Sequence, residues 1–107
     1  VGYKICVDSF RLADSIDDNV AAERIKNTAL VILFDIYAHT KVTRAQVKRL
    51  KQAHVGLNKL GTLLMLVHDL NYVKTNPYLE LNSNVNYFIG KLKKIIKYHE
   101  RKLKSKE

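Results

Sequence analysis

A chain of 107 residues, 47% apolar and 27% charged, is long enough for one domain around a single small core and too apolar for a disordered segment. One Pro and four Gly leave too few turn formers for an all-β sandwich, and Cys6, being alone, excludes an intrachain disulfide and a cysteine-rich metal site. The net charge of +9 is lopsided: residues 1–40 hold four basic against six acidic groups, residues 41–107 fifteen against four. A segregated positive surface implies an acidic partner, whether nucleic acid, an anionic membrane or an acidic peptide.

Residues 3–16 read as a short first helix anchored by Ile5, Phe10, Leu12 and Ile16. SIDDN at 15–19 is a turn leading into an N-cap, since Asp and Asn accept hydrogen bonds from free helix N–H groups. Val20–His39 is the most apolar helix, with Ile25, Ala29, Ile32, Leu33, Ile36 and Tyr37 on one face. Leu30, Val31 and Phe34 widen that stripe, which predicts a helix nearly surrounded by others at the centre of a bundle.

Thr43 followed by Gln46 spells a capping box. The helix it starts carries Val47, Leu50, Val55, Leu57 and Leu60 at roughly helical spacing and is expected to bend or break near Gly56. Its outer face is basic, with Arg44, Lys48, Arg49, Lys51 and Lys59 and no carboxylate between Lys41 and His68. Leu57–Leu70 continues as helix, and 70–84 is loop-like because Asn71, Asn76, Pro77, Asn82, Ser83 and Asn84 break the period. From Val85 the last helix carries Phe88, Ile89, Leu92, Ile95, Ile96, His99 and Leu103 on one stripe. Lysines cover its other face, and a basic tail is expected to fray from about residue 100. The fold class is all-α: one domain over 1–107, a compact right- or left-handed bundle of four to five helices.

Chemistry is scarce. His39, His54, His68 and His99 lack ligand spacing, and there is no phosphate loop, nucleophile elbow or acid/base pair. Neither an enzyme nor a metal or cofactor site is expected. The longest apolar runs, 29–34 and 63–67, are far short of the roughly 18 residues of a membrane span. Lysine-dominated faces offer phosphate attraction without sequence readout, so weak, non-specific nucleic-acid contact is one function class. Apolar groups stranded in two loops suggest another. Ile16 beside Asp17 and Asp18, and Tyr72–Val73 beside Lys74, lie in loops that an up-down packing brings to one end. They would form an apolar notch rimmed by a carboxylate, able to take a Phe or Leu of a short peptide. Equally, they would cap the core from its end, and helix capping accounts for the two aspartates.

The stretch VTRAQVKRLKQAHVGLNKL at 42–60 resembles the helical domain at the N-terminus of transcription elongation factor S-II, and more closely the related integrase-binding domain of lens epithelium-derived growth factor. Phe34, Tyr37, Val42, Thr43, Gln46, Arg49, Leu57, Lys59 and Leu60 fall at matching spacing; IGKLKKII at 89–96 resembles the closing helix, and SIDDN the first interhelical loop, where an Ile-Asp pair contacts partners. The second helix is longer than that pattern needs, as is the loop before the last, where Tyr72–Val73 is preferred over Leu63 with Met65 as second contact. The resemblance implies a nuclear docking module for disordered acidic, Phe-containing motifs of transcription and chromatin proteins; the domain is expected to be a monomer. Its partner-binding residues would be Ile16, Asp17, Asp18, Tyr72 and Val73, with steering by Lys48, Lys51, Lys91 and Lys94.

Overall fold

A computed structural model of the chain describes residues 2–37 and 43–105. Four helices account for nearly all of them: α1 (Gly2–Asp14), α2 (Asn19–Tyr37), α3 (Arg44–Asp69) and α4 (Thr75–Ser105). Each helix packs closely on two others, α1 on α2 and α4, α3 on α2 and α4, while the backbones of the diagonal pairs stay apart. The result is an up-down-up-down square 51 Å long and 20 by 18 Å across. Both the α1–α2 and the α3–α4 loops lie at one end of it.

The square explains which apolar residues are buried. On α1 the inward stripe is Ile5, Cys6, Ser9, Leu12 and Ala13, with small residues letting the helices approach. The buried Ser9 hydroxyl is satisfied by donating to the Ile5 carbonyl at 2.7 Å. Phe10, expected as an anchor, is only half-buried and lies beside the Lys26 ammonium.

On α2 only Ala22, Ile25, Ala29 and Ile32 are buried. The expectation that this helix forms the centre is corrected here: Val31, Phe34 and Tyr37 are all more than half exposed. In a four-helix square every helix is a corner and none is surrounded, so a wide apolar arc leaves part of itself in water. His39 and Val42 lie outside the described residues.

Thr43 caps α3 as its spelling predicts, its hydroxyl accepting from the Gln46 N–H at 3.1 Å. The expected break at Gly56 is absent, and α3 runs unbroken to Asp69. Gly56 is there for space: a Cβ on it would stand 2.7 Å from Ile32 Cγ1, so α2 and α3 close upon a position without a side chain.

The last helix starts ten residues earlier than the reading from Val85, at Thr75. Pro77 falls in the first turn, where its missing N–H would find no intrahelical acceptor anyway. Leu81, Val85, Phe88, Leu92 and Ile96 then face the core at three- and four-residue steps. Asn82 and Asn84 sit half-buried and Ser83 outward, beside that stripe instead of in it. The basic tail expected to fray from about residue 100 is helical as far as Ser105.

Candidate interaction surfaces

The two loops at the closed end are built by side-chain and backbone caps. Asp18 begins α2, its carboxylate accepting from the Ala21 N–H at 3.0 Å. Before it, the Ile16 N–H bonds to the Ala13 carbonyl, and the Ile16 side chain is buried in the core. Asp17 is exposed. At the other loop α3 ends in a Schellman arrangement: the Asn71 N–H reaches the His68 carbonyl and the Tyr72 N–H the Val67 carbonyl, at 3.0 and 2.9 Å. Asn71 takes the left-handed conformation this turn needs, φ 62°, which Asn tolerates better than most residues. The chain then re-enters helix within a few residues. His68 stacks on Tyr78 at 4.2 Å between ring centres, with its Nε2 3.3 Å from the Thr75 hydroxyl, which staples the end of α3 to the start of α4.

This staple delivers Tyr72 and Val73 to the mouth of a cleft of about 660 Å³. Lys74, Pro77, Glu80 and Leu81 continue that wall, and α1 with the residue after it supplies the other through Lys4, Asp8, Arg11, Leu12 and Ser15. Of the five expected partner-binding residues, then, Tyr72 and Val73 line the cleft. Ile16 is core beneath the same end, Asp18 is a helix cap, and Asp17 lies outside the lining. The α1 row is not among the residues the sequence marks as partner-binding. Its signal was available, since Lys4, Asp8, Arg11 and Ser15 recur at four- and three-residue steps on one helix face.

The four steering lysines are exposed, but the fold puts them elsewhere. Lys48 and Lys51 stand on α3 by its groove with α2. Lys91 follows Pro77 by fourteen residues along α4, roughly 20 Å at 1.5 Å per residue. The Lys51–Glu100 pair, 3.2 Å long, ties the basic stretch of α3 to that of α4. Between them residues 44–59 and 91–104 carry twelve cations and the single carboxylate of Glu100. The loop end instead holds Asp14, Asp17, Asp18, Glu23 and Asp69, with Asp14 paired to Lys26.

Among the described residues two ionisable groups are shifted by their surroundings. Burial pushes the Cys6 thiol up, away from the thiolate form that nucleophilic chemistry uses. Burial also raises the Asp35 carboxyl, a shift that the nearby positive charge of Arg49 partly offsets. A carboxyl raised on folding binds its proton more tightly in the native state, so stability falls as pH rises from the unfolded value of 3.8 through the raised native one. Asp35→Asn should therefore flatten the pH dependence of thermal unfolding in that window and raise the midpoint at neutral pH. An unchanged profile would mean that Asp35 stays fully hydrated.

Among the described residues no group of three or more His, Cys, Asp or Glu is placed to hold a metal ion, and no helix is long and apolar enough to cross a membrane. His54 Nε2 and His99 Nδ1 are buried without a hydrogen-bond partner among those residues. No protein-family model matches the chain, and no match to it is found among curated proteins or among solved structures.

Proposed function

We propose that this bundle is a protein-interaction module that docks short peptide motifs at the cleft between α1 and the α3–α4 loop. The observation that carries the reading is the composition of that cleft. Tyr72, Val73, Leu12 and Pro77 offer an apolar seat for one Phe or Leu, while Lys4, Arg11 and Lys74 outnumber Asp8 and Glu80 around it. Acidic residues flanking the anchor would find cations at the rim. The basic stretches of α3 and α4 would raise the encounter rate with such a partner from a distance. The placement of its partners among nuclear transcription and chromatin proteins rests on the sequence resemblance alone. No catalytic role is part of the proposal.

Titrating the isotope-labelled chain with an acidic Phe-x-Gly-Phe peptide tests it. Amide shifts should gather at residues 4–15 and 72–81. Tyr72→Ala should weaken binding by roughly tenfold, the loss of one aromatic contact, and, because Tyr72 is only 39% exposed, lower the unfolding midpoint slightly while the chain stays folded. Asp17→Asn asks whether the site extends to the α1–α2 loop: lost affinity would include that loop, and unchanged affinity would confine the site to the cleft. Full affinity in Tyr72→Ala would remove the cleft from the account.

A second reading, non-specific nucleic-acid binding, is favoured by the twelve cations gathered on residues 44–59 and 91–104. It requires a steep loss of duplex affinity with salt and shifts along α4 instead of at the cleft.

A further inference from the structure

On the side of the square opposite the peptide cleft, α2 and α3 enclose a groove of about 640 Å³. Its α2 wall is Arg24, Thr28, Val31 and Asp35; its α3 wall is Lys48, Gln52, Val55 and Lys59. Both series advance by three and four residues, so each is one stripe of one helix. The helices are antiparallel, and the groove therefore has an order along its length. Arg24 and Lys59 mark one end, Val31 and Val55 the middle, and Lys48 and Lys51 the other end, with Asp35. Gly56 lines the middle, where Ile32 stands 2.7 Å from the position a Cβ would take.

Val31 and Val55 are 57% and 51% exposed, two β-branched aliphatics facing water between two pairs of cations. Eleven helical steps from Arg24 to Asp35 measure roughly 16 Å, about three turns of a helix laid in the groove. We infer that this groove docks an acidic amphipathic helix of another protein, with carboxylates near both of its ends and an aliphatic pair at its centre.

Charge complementarity selects this occupant. Four cations line the groove against Asp35, and although Lys51 is shared with Glu100, the excess remains positive. A nucleic-acid backbone carries its charge evenly and leaves the aliphatic middle without a partner, whereas stacking surfaces for bases are missing from the groove lining. A second copy related by a two-fold axis would bring like-charged rims together. An acidic helix meets both rim and middle, in the helix-in-groove manner.

The test uses the whole chain and a synthetic peptide of roughly three helical turns, with two glutamates at each end and two leucines at its centre. Amide shifts should be confined to residues 24–35 and 48–59. Val55→Asp, exposed and therefore compatible with the fold, should weaken binding about tenfold, and serine in place of the peptide's leucines should do the same. Tyr72→Ala should leave this binding intact, so that failure here and failure at the cleft are read separately. Equal binding of the serine peptide, or its displacement by a short DNA duplex with shifts moving onto α4, would overturn the proposal in favour of a general polyanion surface. A dimer in sedimentation that Val31→Asp abolishes would overturn it in favour of a second copy.

Discussion

Leu60→Ala should cost the bundle about 2–5 kcal/mol, because it deletes a fully buried side chain from α3, which packs on both α2 and α4. Leu57, Leu60 and Leu64 all have 0% of their surface exposed, and they stack along the inner stripe of α3. Domains of this size are stable by roughly 5–15 kcal/mol, so this one change would remove a large share. The thermal midpoint should fall by roughly 10–20 °C, and the urea midpoint should fall with the slope unchanged. Leu66→Ala, on the outer side of the same helix and half exposed, should stay within about 1 kcal/mol of the parent. Equal losses at the two positions would show that α3 does not bury the stripe assigned to it.

Glycine substitutions should separate by helix interface. Gly56→Val should lower stability by about 3 kcal/mol: its first added atom already meets Ile32 Cγ1 at 2.7 Å, and two more must follow. Ile32 is buried and β-branched, so it has little freedom to yield. Gly56→Ala sets two terms against each other, about 1 kcal/mol of helix propensity gained and roughly 1–3 lost to overpacking, and should come out destabilising. Gly90→Ala has no such opposition. Nothing lies within 4 Å of its Cβ position, and the change should stabilise α4 by up to about 1 kcal/mol. Chemical denaturation of the two alanine variants side by side checks the signs; a gain at both positions would mean that α2 and α3 are not held at that distance.

The same glycine marks a limit of what the sequence discloses. A helix-breaking Gly and a Gly that lets two helices meet are identical in one dimension, and only the partner at Ile32 distinguishes them. The cap at Thr43 was legible because its donor lies three residues away in the chain. Asp18 was legible for the same reason. The start of α4 was hidden by Asn76, Pro77, Asn82, Ser83 and Asn84, although Tyr78, Leu81, Val85 and Phe88 kept helical spacing through them. There the apolar period was better evidence than the turn-forming residues, since Pro is at home in a first turn. The stripe on α2 misled in the opposite sense: its apolar count is real, but packing against two neighbours fully buries only Ala22, Ile25, Ala29 and Ile32 and covers Ala21 and Ile36 in part. For the candidate site, Tyr72 and Val73 stood out as apolar groups in a loop, a local anomaly. Lys4, Asp8 and Arg11 look like any solvated face until the α3–α4 loop and the start of α4 are folded against them.

The gathering of cations on the α3 and α4 stretches tied by Lys51 and Glu100, away from the loop end with its aspartates, makes the molecule an electrical dipole laid along a rod of 51 by 20 by 18 Å. Near a polyanion such a body feels a torque as well as an attraction, over a range of roughly 8–10 Å at ordinary salt. The torque turns the basic end inward and stands the rod upright. An upright copy covers a footprint set by its 20 by 18 Å cross-section instead of its length. The loop end, and the cleft that α1 shares with the α3–α4 loop, then lie on the side away from the charged surface.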